Sequence, residues 1–399
     1  MPGETEAGTH KWNVLLVEDE KTIRRQIREY LSAEMFASRG LNIIEIDVLG
    51  DALNLIRERK ADLVILDVYR GKAQRGGEQT GVQILESIKR SGFVPVVLHT
   101  ALPEGLESLQ GKFVRLVGKD AGLEKLKEQI AELFALRIPQ VNRAIVNHFD
   151  QTMRAYMWDF VQEHWTDFEP LVDKPEFLRL VVQRLARTLA RQGIERMAQE
   201  VYGDPRPVPP DSDETVHPAE CYVKPPIGDD PMLGDIRRRE GGERSGHLVV
   251  LWPSCDMVST GGRTQKTDFA LCARALPAIE TPEVLDWLSA PSNTKEKAVQ
   301  GLAKNRRGES PDRYHFLPGV WDIPDLVVDF QALEHVAMTD IRAYACLATL
   351  ASPFAEALTA RFQKYIGRVG TPDVDVESVM ARMRSASGTP DGGGTGYPR

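Results

Sequence analysis

The chain has 399 residues, 42% hydrophobic and 27% charged, with a formal net charge of −8. That length predicts two or three domains, and that apolar content can fill sizeable cores, which excludes a disordered polymer. The acidic balance gives no general reason to expect nucleic-acid binding, although a local basic patch stays open.

Met1 to Lys11 is polar and reads as a disordered leader. Val14-Leu15-Leu16-Val17 is continuous and aliphatic, as suits a strand buried on both faces of a parallel sheet, and it stops at Glu18-Asp19. Glu20 to Met35 carries a helical stripe at Ile23, Ile27, Leu31 and Met35. Leu41 to Ile46 reads as the second strand, and a second helix starts at Asp51. Leu63-Val64-Ile65-Leu66 is the third strand and ends abruptly in Asp67. A helix over Val82 to Ile88 follows, then Val94 to Leu98, which stops at His99-Thr100. Pro103 to Leu109 gives a poor fourth helix. Phe113 to Val117 stops at Gly118-Lys119, and Leu123 to Leu136 gives a fifth helix with Leu126, Ile130 and Leu133 toward the sheet. This βα alternation, five times over, predicts a five-stranded, doubly wound parallel sheet with right-handed crossovers.

Open sheets of this kind do their chemistry at the carboxyl ends of the strands. There the residues Glu18, Asp19, Asp67, Thr100 and Lys119 would converge, although they are scattered through the sequence. Carboxylates crowded together raise one another's pKa unless a cation sits among them, and a hard oxygen set suits Mg²⁺. A carboxylate can also act as a nucleophile toward phosphorus.

Those residues carry a resemblance. The segment Trp12 to about Leu136 resembles the receiver domain of two-component response regulators, with Val17-Glu18-Asp19, Leu66-Asp67, His99-Thr100-Ala101 and Lys119 at matching strand ends. The resemblance implies a flavodoxin-like fold and a phosphorelay role with Asp67 as phosphoacceptor. It implies Mg²⁺ held by Glu18, Asp19, Asp67 and the backbone carbonyl of Tyr69. Lys119 would neutralise the transferring oxygens, and Thr100 would hydrogen-bond the phosphoryl group afterwards. The implied partner is a sensor histidine kinase or a phosphotransfer protein. The chain departs from the family in three places. A long basic loop with Arg70, Lys72 and Arg75 follows Asp67 and lacks the usual Met-Pro. Leu116 stands where an aromatic is common, and Asp120 replaces the proline after Lys119.

From 137 to 203 the composition turns helical. Val141, Ile145, Phe149, Met153 and Met157 form one stripe, and Leu178, Val181, Val182, Leu185 and Leu189 a second. Such a connector could serve a homodimer or pack on its own domain, and the basic face Arg184, Arg187 and Arg191 reads as solvated. Residues 204–233 form a Pro-rich acidic linker. Beyond it, Gly246 to Trp252, Asp268 to Leu276, Tyr314 to Pro318 and Leu326 to Phe330 read as strands of a small barrel or sandwich in a mixed α+β domain spanning 234–370. Thr281 to Arg307 reads as a helical insertion whose Lys295, Lys297, Lys304, Arg306 and Arg307 form a solvated face, and Ala351 to Gly367 as a final helix capped by Ser352 and Pro353. The tail, 371–399, reads as largely disordered.

No helix-turn-helix pattern is visible in the second half, so a non-DNA-binding output is expected. Trp252-Pro253-Ser254-Cys255-Asp256, with Leu317-Pro318 and the Ser-Pro-Phe helix, distantly resembles small β-barrel proteins of the PemK/MazF toxin group. Cys255, Asp256 and His315 would supply a thiol, an acid and a base, although a cysteine at a strand end is more often packing. Four cysteines, Cys221, Cys255, Cys272 and Cys346, lack close metal-type spacing and fit a reducing compartment. With no signal-peptide pattern and no run long enough to span a membrane, a cytoplasmic protein with no membrane partner is expected. Two functions follow. One is a response regulator whose enzymatic chemistry is confined to gaining and losing phosphate at Asp67. The other is an effector enzyme, acting on RNA or protein through the barrel, with the first domain as regulator or scaffold.

Overall fold

The computed structural model describes residues 11–46, 49–58, 60–68, 80–189, 191–203, 215–241, 246–259, 264–307, 311–369 and 374–386. The chain divides into two compact units, Met1–Pro209 and Pro210–Arg399. The leader 1–10, the loop containing Tyr69, Arg70, Lys72 and Arg75, residues 204–214 of the linker and the end of the tail lie outside the described residues.

The first unit begins with β1 (Trp12–Val17), α1 (Lys21–Leu31), β2 (Met35–Phe36), β3 (Arg39–Ile46), α2 (Leu49–Arg57), β4 (Leu63–Leu66), α3 (Thr80–Ser91), β5 (Val96–Thr100), β6 (Val114–Gly118) and α4 (Gly122–Ala135). The sheet order is β2-β3-β1-β4-β5-β6, with every pairing parallel except β2 with β3. Apolar residues alternate between two cores as the pleat requires: Leu15 and Val17 pack on one face, Val14 and Leu16 on the other. Both faces are covered, which is why these strands read as unbroken aliphatic runs.

The sheet therefore has six strands where five were expected. Helix α1 stops at Leu31, and Met35, assigned to its stripe, instead opens an antiparallel hairpin with its side chain 64% exposed. Ala37 (φ 45°) and Ser38 (φ 63°) make the tight turn. Hairpin turns with positive φ favour Asn and Gly, so Ala-Ser gave no turn signal. The poor helix at 103–109 is only a 3-10 turn, Glu107–Leu109.

The helical stretch belongs to the same unit. It comprises α5 (Ile138–Ala155), running on as one π-helical stretch (Tyr156–Val161), then α6 (Trp165–Phe168), α7 (Pro175–Thr188) and α8 (Arg191–Tyr202). Arg143 of α5 fastens it to the sheet. Its Nε donates to Asp62 Oδ1 at 2.9 Å, and its guanidinium lies 4.2 Å from the centre of the Trp12 ring. Asp62 also accepts from the Asn13 backbone N–H at 2.7 Å. The buried face of α5 runs through Ala144 and His148, while Ile145 and Met153, placed on its apolar stripe, are exposed. On α7 only Val181 is buried, and Leu178 and Val182 face solvent. Between α7 and α8 the chains come so close that a Cβ on Gly193 would lie 1.8 Å from the Thr188 carbonyl oxygen.

The second unit contains β7 (Tyr222–Val223), β8 (Asp235–Arg239), β9 (Gly246–Val250), α9 (Ser254–Met257), β10 (Phe269–Pro277), α10 (Pro282–Ser289), α11 (Asn293–Ala303), β11 (Tyr314–Leu317), β12 (Leu326–Ala337), α12 (Met338–Ala343), β13 (Ala345–Leu350), α13 (Phe354–Ile366) and α14 (Val376–Ala386). It forms one antiparallel sheet of seven strands, ordered β11-β12-β10-β9-β8-β13-β7. Register breaks at Ala273/Arg274 and Cys346/Ala348 let it curl. Curling brings the two edges together, since the Tyr222 hydroxyl on β7 donates to the Pro318 carbonyl just past β11 at 2.6 Å. The enclosed core combines Val249, Ala273, Val328, Phe330 and Leu350 with Leu358 and Phe362 of α13. The result is an open, barrel-like sheet closed by a helix.

Tyr222 and Val223, inside the stretch read as linker, join this sheet, and α14 lies in the stretch read as an unstructured tail. β8 and β13 also gave no strand signal. The sequence of β8 is Asp-Ile-Arg-Arg-Arg, and its charges are absorbed by one pair within the strand and one from β12: Arg237 donates to Asp235 at 2.6 Å, and Arg239 to Glu334 at 2.8 Å.

Candidate functional site

The five strand-end residues sit where the β-ladders of the first unit end. Val17 pairs with Leu66, and the Asp67 N–H still donates to the Val17 carbonyl at 2.9 Å, so Glu18, Asp19 and Asp67 leave adjacent strands side by side. Carboxylate oxygens of these three residues all lie within 4.8 Å of one another. On the other flank, Thr100 pairs with Gly118, and Lys119 follows directly. Its ammonium reaches back to bridge two acids, 2.8 Å from Glu18 Oε2 and 2.9 Å from Asp67 Oδ2.

The electrostatics follow from burial. Glu18 is buried, and desolvation is the main reason its carboxyl is pushed up to about 7; the Asp67 charge adds to this, and hydrogen bonding from Lys119 opposes it. Burial pulls the Lys119 ammonium down, but its hydrogen bonds and charge contacts with Glu18 and Asp67 outweigh that and hold it above the ordinary lysine value. The site thus gathers three carboxylates around the Lys119 ammonium. Three hard oxygen donors so close fit a small divalent cation such as Mg²⁺, which takes one or two carboxylates and keeps several waters. Tyr69, expected to add a backbone carbonyl, lies outside the described residues.

Thr100 is fully buried, and its Oγ1 accepts from the Leu102 N–H at 3.3 Å. That bond uses an acceptor lone pair, so the hydroxyl proton is left to donate elsewhere. Two positioning groups escaped sequence reasoning. Arg24, on α1, donates to the Glu18 carbonyl and pairs with Glu45 at 3.3 Å, and so anchors the turn that carries the acids. Gly118 leaves room for Asp120, whose Oδ1 would lie 2.3 Å from any Cβ there. An arginine in a helix reads as surface until the fold shows it 7% exposed.

The structure does not bring Cys255 and His315 together. Cys255 is exposed at α9, beyond the end of β9, with its Sγ 3.7 Å from Asp256 Oδ1. His315 is buried on β11, with β12 and β10 between it and β9 in the sheet, roughly 14 Å at ordinary strand spacing. Burial, helped by the Arg361 charge, lowers the His315 imidazole to about 4, far from the range of a base at neutral pH.

Comparison with known proteins decides what the strand-end cluster belongs to: the family model described as response regulator receiver domain matches residues 14–131. Residues 14–131 are a receiver domain. The KDP operon transcriptional regulatory protein KdpE of Escherichia coli (strain K12) is 33% identical over 92 residues, which are 23% of this chain and 36% of that protein. The chain therefore spans about a third of the curated relative it matches. Among solved structures, the signal receiver domain of a putative Luxo repressor protein from Vibrio parahaemolyticus is 22% identical, covering 32% of this chain and 92% of that one with a TM-score of 0.26. The response regulator domain of Thermotoga maritima CheB is 18% identical, covering 34% of this chain and 98% of that one with a TM-score of 0.24. The receiver accounts for the first sheet and its helices, and the second unit lies outside residues 14–131. Among the described residues no helix is long and apolar enough to cross a membrane.

Proposed function

We propose that this chain is a cytoplasmic response regulator that accepts a phosphoryl group on Asp67 from a sensor histidine kinase or a phosphotransfer protein. The observation that carries this reading is the Asp67 carboxylate, within 4.8 Å of the Glu18 and Asp19 carboxylates and 2.9 Å from the Lys119 ammonium. An Asp67 oxygen attacks phosphorus, the bond from phosphorus to the donor's leaving nitrogen or oxygen breaks, and an acyl phosphate forms. Glu18, Asp19 and Asp67 would hold Mg²⁺, which supplies neutralising charge for the phosphoryl oxygens. Lys119, already between Glu18 and Asp67, moves its hydrogen bonds to the new anion, and the free hydroxyl proton of Thr100 gives it a second donor. These two donors flank the rim on β5 and beyond β6, so the change reads out through that edge of the sheet.

The second unit is the output, acting through contacts other than a helix-turn-helix. A homodimer would use the exposed face of α7, where Leu178 is 64% and Val182 51% exposed. An enzyme acting through Cys255 and His315 draws no support from their separation.

The test is incubation of the chain with acetyl phosphate and Mg²⁺, read by phosphate-affinity electrophoresis and mass spectrometry. Wild type gains one acid-stable, hydroxylamine-labile phosphoryl group, and Asp67→Asn gains none. Labelling that survives Asp67→Asn, or a wild type that takes no label although its folding is intact, overturns the reading.

A further inference from the structure

The region that turns the chain from α5 into α7 leaves an aromatic surface open. Helix α5 runs on into the π-helical stretch Tyr156–Val161, where the Gln162 N–H donates to the Met157 carbonyl, five residues back, at 3.0 Å. Such stretches are rare and are found frequently at functional sites. Val161 is 1% exposed and fixes which side of the stretch faces the protein. The other side is open: Trp158 is 66% and Phe160 44% exposed, and beyond the turn Trp165 is 45% exposed. The region holds itself together from within, since Phe160 meets the buried Phe168 edge-on at 5.9 Å and Phe168 meets Phe177 at 6.0 Å. An open aromatic patch rimmed by polar residues marks an interaction surface.

The same region is acidic without compensation. From Ala155 to Asp173 the sequence has five acids, Asp159, Glu163, Asp167, Glu169 and Asp173, and no lysine or arginine. All five are exposed, and among the described residues none forms a salt bridge; the nearest pair in sequence, Glu176 with Arg179 at 3.7 Å, lies past the turn on α7. Phe160 and His164, one turn apart, stack with 4.6 Å between ring centres. Asp159 and Glu163 precede them by one residue each, so their carboxylates form a row beside that stack, with Trp158 on the other flank.

A row of carboxylates between aromatic rings calls for cations. Its charge repels an anionic lipid surface or a nucleic-acid backbone, and it opposes a second copy laid on the same face. Arginine answers both elements at once, because a guanidinium pairs bidentately with carboxylates, stacks on tryptophan and is more weakly hydrated than an ammonium. We propose that this surface docks an arginine-rich segment of a partner protein, its guanidinium groups seated on Asp159 and Glu163 between Trp158 and Phe160. Charge complementarity selects the occupant, and Trp158 supplies an aromatic anchor of the kind that dominates interface energies. Docking does not use the phosphoacceptor.

The test is titration of the full chain with three synthetic peptides of about 15 residues, alanine-rich with arginine, lysine or glutamate at every fourth position, followed by tryptophan fluorescence and calorimetry. The arginine peptide should saturate at one per chain, the lysine peptide should bind several-fold more weakly, and the glutamate peptide should not bind. Trp158→Ser should weaken the arginine peptide by about tenfold without moving the melting midpoint. Asp159→Asn with Glu163→Gln should weaken it as much and flatten its dependence on salt. Glu104→Gln with Glu107→Gln, which removes the same charge from an exposed stretch of the receiver, should leave binding unchanged. Asp67→Asn should bind like wild type, so loss of phosphoacceptance cannot be mistaken for loss of docking. Absence of saturable binding at millimolar peptide overturns the proposal, as does equal weakening by the two acidic double variants, since net charge would then be the cause. So does a wild type that sediments as a dimer which Trp158→Ser dissociates, because a second copy would then be the occupant.

Discussion

Lys119→Met removes the ammonium shared by two acids, and its consequence can be worked from the geometry. In the wild type Nζ lies 2.8 Å from Glu18 Oε2 and 2.9 Å from Asp67 Oδ2, and even so burial lifts the Glu18 carboxyl from 4.5 to about 7. A carboxyl raised on folding makes the native state hold more protons than the unfolded chain. Its stabilising contribution is full below pH 4.5, declines as the pH rises toward about 7, and is level above that. Without Lys119 both its hydrogen bond and its charge are lost to Glu18, and the folded carboxyl moves higher still. The decline then continues above pH 7, at up to about 1.4 kcal/mol per pH unit. Between pH 7 and pH 8.5 the variant should therefore lose roughly 2 kcal/mol relative to wild type, on top of a loss already present at pH 7 from leaving a buried pair half made. Amide exchange in β1 and β4, with a chelator present, follows the first unit without interference from the second. Mg²⁺ should narrow the gap by restoring positive charge. Parallel pH profiles for the two proteins above pH 7 would refute the reasoning, because they would mean that Lys119 does not set the Glu18 proton affinity.

Arg143→Ala should cost about 3–5 kcal/mol in the exchange stability of β1 and β4, because it strands the buried Asp62, whose carboxyl burial already raises. Asp62→Asn combined with Arg143→Met should cost less than Arg143→Ala alone, and a strictly additive double variant would sink the idea. The second unit should weaken as the pH falls from 6.5 toward about 4, by up to about 3 kcal/mol. The folded His315 imidazole there binds its proton less readily than the unfolded one, and stability from a lowered histidine is present above the unfolded pKa and lost below it. His315→Gln should flatten that acid limb in amide exchange of β11 and β12; an unchanged limb would assign it to other groups. Gly193→Ala should destabilise the helical part by about 1–3 kcal/mol and so lower its melting midpoint, since its Cβ would collide with the Thr188 carbonyl, and an unchanged midpoint would show that the α7–α8 turn can yield.

The receiver was legible because its signals are local and repeat. A buried parallel strand is a short aliphatic run, and the first charge after it must sit at the rim; four such runs place Glu18, Asp67, Thr100 and Lys119 without any knowledge of contacts. The second unit offered no such regularity. In β8 three consecutive arginines suppress the apolar alternation, and they are tolerated because Asp235 and Glu240 at the two ends of the strand and Glu334 from β12 pair with them. In α7 the apolar residues at helical spacing read as one stripe, but Val181 and Val182 lie about 100° apart around the helix, and only the first is covered.

The same contrast separates two parts of the first unit. A site built at strand ends is written in residue types, since carboxylates, a hydroxyl and an ammonium must each follow an apolar run. The region between a hairpin turn and two helix ends carries weaker signals: an amide whose nitrogen is already used and an Ala-Ser turn where Asn-Gly would be relaxed. None of these is unusual in the sequence, and each becomes informative only once the fold shows what fails to meet it.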